Sequence, residues 1–289
     1  DTQMEENAWT SHGLTSCFLF LSGHEEAADW EAIARRWMFS TCAAPQDTKD
    51  LGQVGDKTAR VMTGKIFTAL PDYLAENHGM VHPSYTASGI SPLMSVGCLY
   101  KLWGRDLPPE LFWNRRQVYE NLKALTDGAG YAQAVQGMDW HYLHVLATAP
   151  AHAIAAVFFD DADAAALERL GLENAEQRQK GNGGRMYDQN FALKAHDQQD
   201  PMIMREVTIS GAASLYLLHR LFGPGPAPAP EAEMEVRLSG VHNFPHAGFV
   251  HHRHPHGQTS FAWRNSIMAL PLTREGIYTI APRSDTWLG

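Results

Sequence analysis

The chain has 289 residues, 44% of them hydrophobic and 19% charged, a globular composition with room for one large domain or two ordinary ones. A net charge of -9 argues against a general nucleic-acid binder, although a locally basic cleft on an acidic protein still suits an anionic sugar. No apolar run is long enough to span a bilayer; that from Cys17 to Leu21 is short and belongs in a core.

The opening stretch, Asp1 to Trp9, reads as the cap and first turn of a helix that continues to about residue 22, with Trp9, Leu14, Cys17, Phe18 and Leu21 on its apolar side. A second helix is expected from Glu25 to Cys42, where Trp30, Ile33, Ala34, Trp37 and Met38 recur at three- and four-residue spacings. A turn at 43–47 and a polar loop at 50–56 lead to a shorter amphipathic segment, Met62 to Tyr73. Further helices are predicted from Leu93 to Trp103, through 112–125, from Met138 towards Ala149, over Ala151 to Phe159 and Ala162 to Leu170, and from Met202 to Phe222. Pro92 stands in the first turn of one of them. With no strand alternation between the helices a doubly wound sheet is excluded, and without a fixed period a regular solenoid is too. A ring of helical hairpins, an α/α toroid, fits better than a compact bundle.

The composition then changes. Gly223 to Pro230 is a Gly/Pro/Ala run with no helix potential. Beyond it Glu235 to Leu238, Ala247 to His251, Thr259 to Arg264 and Ile277 to Ile280 alternate like strands. The expected organisation is α+β and multidomain: an incomplete toroid over 1–222, a linker at 223–230, and the start of an antiparallel β-sheet (sandwich) domain at 231–289. Both chain ends look cut, so a longer protein with further strands is expected. The three cysteines, Cys17, Cys42 and Cys98, cannot all pair, and their apolar helical contexts predict buried free thiols.

Between the helices lies the stretch Leu74 to Gly89, which offers Asn77, His78, His82 and Tyr85 within nine residues. Gly79 and Pro83 break any regular helix there, placing these side chains on a loop or helix entrance between packed elements, where chemistry tends to reside. An amide and a histidine aimed at a uronate carboxylate would spread its charge and stabilise the enolate-like intermediate formed when the C5 proton leaves. A tyrosine or histidine would take that proton, and a tyrosine can return one to the leaving oxygen on C4. The bland alternative is a polar loop whose histidines satisfy buried backbone groups.

A second group is Asp139-Trp140-His141-Tyr142 with His144: Trp140 is a candidate to stack on a sugar and Tyr142 a second candidate phenol, against the alternative of a buried aromatic helix start. A third is the histidine-rich region His242, His246, His251, His252, His254 and His256 with Arg253 and Arg264. Imidazoles are zinc ligands. However, no carboxylate or cysteine lies close by in sequence, and strand alternation sends His251 and His252 to opposite faces. A basic sheet edge facing an anionic substrate is therefore preferred; no cofactor is expected, with a structural divalent metal as the lesser alternative. Gly181 to Arg185 lacks the lysine and preceding strand of a phosphate loop and reads as a flexible loop.

Three pieces resemble the toroid polysaccharide lyases, the heparinase II/III-like, chondroitin AC/hyaluronate and alginate lyase group. Glu76-Asn77-His78-Gly79 is similar to the Asn-His-Gly stretch of the heparinase/alginate type. His78 followed by Ser84-Tyr85-Thr86 is similar to the chondroitin AC type. Val250-His251-His252-Arg253 with Phe261 to Met268 is similar to the strand region carrying a His-Arg pair in those lyases. The resemblance covers architecture broadly and motif only in short pieces. It implies an enzyme that cleaves a uronic-acid polysaccharide by β-elimination, secreted or periplasmic. Asn77 and His78 would neutralise the carboxylate and Tyr85 would carry the proton, with Tyr142 the alternative, since the alginate-like type places its tyrosine further downstream. His82, Trp140, His141, His246, His251 and Arg253 would bind substrate. The chondroitin type has an asparagine soon after a Thr-Gly pair, where this chain runs Thr63-Gly64-Lys65-Ile66; either Asn77 takes that duty or the site is incomplete. The alternatives are an α/α-toroid glycoside hydrolase, using carboxylates among Asp139, Glu76 and Asp188, and a noncatalytic carbohydrate-binding fragment.

Overall fold

A computed structural model describes residues 3–128, 130–137, 141–185, 201–255, 257–264, 267–273 and 276–277, with the backbone alone for 141–148, 201–209, 273 and 276–277. The protein is mixed helix and sheet.

Helix α1 (Met4–Phe20) carries Glu5 and Glu6 in its first turn, where anionic side chains suit the helix dipole. It buries Met4, Ala8, Ser11, Thr15, Phe18 and Leu19. The expected apolar side is therefore corrected: Trp9 is 64% exposed, Leu21 53%, and Cys17 is an exposed thiol, while Cys42 and Cys98 are buried as predicted. The physical reason lies in two hydroxyls. Ser11 Oγ donates to Ala8 O (2.7 Å) and Thr15 Oγ1 to Ser11 O (2.7 Å), so a polar stripe can turn inwards with its donors satisfied.

Helix α2 (Ala27–Ser40) packs on α1. After a short hairpin of β1 (Gln53–Val54) and β2 (Lys57–Thr58), helix α3 (Ala59–Thr63) stops at Gly64, φ +56°. The amphipathic segment expected over 62–73 is thus the end of one short turn of helix followed by irregular chain, because a glycine at positive φ ends the helix there. Strands β3 (Glu76–Asn77) and β4 (Met80–Val81) form the next hairpin, leading into α4 (Pro83–Ile90) and α5 (Pro92–Leu102), each opened by a proline. Helix α6 (Arg115–Ala124) follows a 3-10 turn, Pro109–Phe112. Helix α7 (His141–Phe159) packs on α8 (Ala162–Gly181), whose N-cap Asp161 accepts from Asp163 N (2.9 Å) and Ala164 N (3.0 Å). Helix α9 (Pro201–Phe222) returns against α7 and α5.

The helices share one core that runs from Met4, Met38 and Ile90 through Tyr100 and Tyr119 to Ala155 and Leu218. At its centre Arg115 is fully buried and donates only to carbonyls: Gly89 O (2.9 Å), Leu111 O (2.6 Å), Met38 O (2.8 Å) and Glu110 O (3.3 Å). One guanidinium thereby ties α2, α4 and the segment before α6 together.

The stretch Glu235 to Leu238, expected as a strand, lies in helix α10 (Glu231–Leu238). Met234 and Leu238, one turn apart, are its buried pair, while Val236 is 69% exposed. The four-residue spacing prevails over the local alternation. A five-stranded antiparallel sheet follows in sequential order: β5 (Gly240–Phe244), β6 (Phe249–His254), β7 (Gly257–Ala262), β8 (Met268–Thr273) and β9 (Gly276–Ile277). The expected strand at 277–280 lies almost wholly outside the described residues, as do Asp139, Trp140, Asp188 and His256.

The Gly/Pro-rich run lies against the helices. Ala229 N donates to Ala162 O (2.9 Å), and a Cβ on Gly225 would sit 3.2 Å from the Ala156 backbone. The sheet also shares a core with the helical part. Leu74, Val81, Leu125 and Val135 pack with Phe244, Ala247, Phe249 and Ala262.

Candidate functional site

The β3–β4 hairpin has a two-residue turn, with His78 at φ +51° and Gly79 at φ +78°. Two successive left-handed residues make the tight turn whose twist matches paired strands. Asn77 Oδ1 accepts from His78 N (2.8 Å), fixing the turn from within and leaving the amide NH2 as its donor side. His78 is exposed at the tip, and Asn77 is 6% exposed just behind it.

Two residues on, the chain enters α4 at Pro83. His82 N donates to Ala75 O (3.3 Å) and Ala75 N donates to Thr86 Oγ1 (3.1 Å), so the first strand of the hairpin is stitched to the first turns of α4. This brings Tyr85 beneath the tip: its ring centroid lies 5.6 Å from that of His78, edge-on, and 4.5 Å from that of His82. The amide, both imidazoles and the phenol singled out in the sequence thus form one cluster.

Their exposures divide the roles. His78 is open to solvent and Tyr85 partly so. His82 is fully buried, its Nδ1 3.0 Å from Ser84 Oγ. Substrate contact expected of His82 gives way to a supporting position under the Tyr85 ring.

A residue not anticipated from the sequence joins the cluster from α1. Glu5 is 1% exposed, and its Oε2 has no hydrogen-bond partner among the described residues. Burial pushes its carboxyl up to about 7, with the adjacent Glu6 acting in the same direction; a backbone hydrogen bond and the nearby His78 imidazole pull it down. In sequence Glu5 looks like any first-turn acid, and only tertiary packing distinguishes it.

The hairpin is fastened to the sheet at several points. Gln136, 4% exposed, accepts from Val81 N (2.7 Å) and donates to Ala247 O (2.6 Å). Asp72 Oδ2 accepts from the backbone of both His246 and Ala247, each at 2.8 Å. Arg264 pairs with Glu76 (2.6 Å) and donates to His246 O (2.5 Å). Its side chain crosses Gly248, φ +78°, where a Cβ would come within 2.2 Å of it. The turn between β5 and β6, with exposed His246 on it, is therefore held beside the hairpin.

The other basic groups of the sheet lie inside. His251 is 1% exposed and its Nε2–H donates to Gln258 Oε1 (2.8 Å). Burial lowers its pKa to about 4, against a raising contribution from Gln258. Arg253 is 2% exposed, pairs with both carboxylate oxygens of Glu235 (2.7 and 3.2 Å) and also donates to Thr126 O. The expected basic edge facing substrate is corrected in these two residues: strand alternation turns them to the inner face and sends His252 to solvent. Among the described residues no three His, Cys, Asp or Glu side chains converge as a metal site would require. The side chains of His141 and Tyr142 lie outside the described residues, and Tyr85 is the phenol found beside His78.

No family model, curated protein or solved structure matches this chain. No helix among the described residues is long and apolar enough to cross a membrane.

Proposed function

We propose that the protein is a polysaccharide lyase that cleaves a uronic-acid-containing polysaccharide by β-elimination. The observation that carries this reading is the convergence of Asn77, His78 and Tyr85 at a rigid hairpin tip and the adjoining helix start, with phenol and imidazole rings 5.6 Å apart. A carboxylate docked at the tip would meet the Asn77 amide and the His78 ring, whose donors spread its charge as the C5–H bond breaks. Tyr85 in its phenolate form takes that proton, the C4–O bond breaks, a C4–C5 double bond forms, and the phenol returns the proton to the departing oxygen. Neutralisation by side chains makes the reaction self-sufficient in these groups.

In this reading the helices belong to an incomplete α/α toroid, the sheet begins a β-sandwich, and the cleft between them takes an anionic polysaccharide in a secreted or periplasmic setting. The Asp72, Gln136 and Arg264 fastenings support it, since they hold the sheet's His246 turn beside the catalytic loop. The hydrolase alternative has less to draw on: Glu76 is buried and ion-paired with Arg264, which does not suit an acid or a nucleophile. The test is the unsaturated uronate itself, formed by the parent protein and lost in His78→Ala and Tyr85→Phe with the fold intact.

A further inference from the structure

A pocket of about 580 Å³ opens between the 3-10 turns Pro45–Lys49 and Pro109–Phe112, walled by Tyr73, Phe112, Trp113, Gln46, Gln117 and Lys49. That volume lies within the range of small-ligand sites. Its aromatic wall is built rigidly. Trp113 stacks on Phe39 at 5.3 Å and donates its indole N–H to Asp47 Oδ2 (3.1 Å). The same buried oxygen accepts from Asn114 Nδ2 (2.7 Å) and Ala44 N (2.8 Å).

Two of the residues lining the pocket hold backbone conformations that side-chain-bearing residues avoid: Tyr73 at φ +57° and Asn114 at φ +53°. For a tyrosine that conformation is costly, and such strain gathers at ligand sites, where the surrounding contacts fix it. Here Asn114 is held by Asp47 and Cys42 O, while Tyr73 N donates to Leu70 O (2.8 Å). The lyase cluster does not use this pocket, and two of its rings, Tyr73 and Trp113, are backed by core side chains.

We infer that this pocket is a second carbohydrate site, which takes a neutral pyranose unit of the polysaccharide. The ligand class rests on the proposed function; the lining decides the kind of sugar. Flat rings offer apolar faces to the C–H side of a pyranose, and the exposed amides of Gln46 and Gln117 can each donate to and accept from neighbouring hydroxyls. Asp47 and Asp50 outnumber Lys49, so a uronate unit is disfavoured. Tyr73 stands four residues before Asn77, at most about 14 Å along the chain, which places the pocket within one oligosaccharide's reach of the hairpin tip.

The experiment titrates the full chain with hyaluronan tetrasaccharide, which alternates uronate with a neutral sugar, with chitotetraose, and with a mannuronan tetrasaccharide made only of uronates. Intrinsic tryptophan fluorescence should change saturably with the first two, and the change should disappear in Trp113→Phe. Gln117→Ala and Phe112→Ala, both at exposed positions, should weaken this binding tenfold or more. Silence with both alternating and neutral sugars, parent-like affinity in the Gln117 and Phe112 variants, or equal Gln117-dependent binding of the all-uronate ligand would overturn the inference. Failure of the lyase reading looks different: no unsaturated product, with Gln117-dependent binding retained.

Discussion

Between pH 4.5 and about 7 the Glu5 carboxyl holds a proton in the folded chain that it releases in the unfolded one. An acid whose pKa is raised by folding favours the native state at low pH and loses that advantage as pH climbs through the folded value. The swing is about 3 kcal/mol for a shift of this size. His152 and His251 work in the opposite sense. Burial, the largest influence on each, lowers both to about 4, so their contribution is present above 6.5 and lost as pH falls towards 4. Together these three groups put their combined optimum near pH 6.5. Glu5→Gln should therefore raise Tm at pH 8 and raise it much less at pH 5; equal shifts at both pH values would contradict the burial of an ionisable carboxyl there. Arg115 gives a second prediction at this scale. Arg115→Ala strips four buried carbonyls of their donor and opens a cavity, with an expected loss of about 3–5 kcal/mol measured by urea unfolding. For catalysis, His78→Ala and Tyr85→Phe should each reduce kcat by a factor of about 100 or more with Tm preserved, since the first is exposed and the second partly so.

At the scale of elements, the hairpin carrying Asn77 and His78 is positioned by its neighbours, because two-residue strands have little stability of their own. Asp72→Ala removes the acceptor of two backbone N–H groups and should cost about 1–3 kcal/mol. If the fastening also sets the site, activity should fall by more than the change in folded fraction explains, read as kcat at a temperature well below Tm. How far these elements were legible in the sequence follows from their chemistry. The helices with proline starts and regular apolar spacing, such as α5 and α9, could be read closely. The Asn77–Tyr85 cluster was legible because all its members lie within nine residues. Helix α10 was not, because Glu235 to Leu238 alternates locally while Met234 and Leu238 pack one turn apart. Glu5 and the buried face of α1 were hidden for another reason: Ser11 and Thr15 look polar until their hydroxyls are seen bonded within the helix. The inward turn of His251 and Arg253 depended on which face of the sheet met the helices, and alternation alone does not say that.

For the whole molecule, the change in composition at Gly223 marks a change of architecture but not a gap between independent bodies. Leu74, Val81, Leu125 and Val135 share a core with Phe244, Phe249 and Ala262. Arg253, paired with Glu235 on its own side, also donates to Thr126 O across the same boundary. Unfolding of helices and sheet should therefore be coupled: circular dichroism and the fluorescence of Trp263, the residue after β7, read as the difference between the parent and Trp263→Phe, should report one transition. Two well-separated midpoints would mean that the shared core contributes little. The same junction places the candidate catalytic loop, so the chemistry proposed for it stands or falls with one assay. That assay follows ultraviolet absorbance of the protein mixed with hyaluronan, chondroitin, heparosan, alginate and glucuronan in turn. β-Elimination at Asn77, His78 and Tyr85 predicts a rise with at least one of them, absent in His78→Ala; new reducing ends without absorbance, or a flat trace by both readouts across the panel, would contradict it.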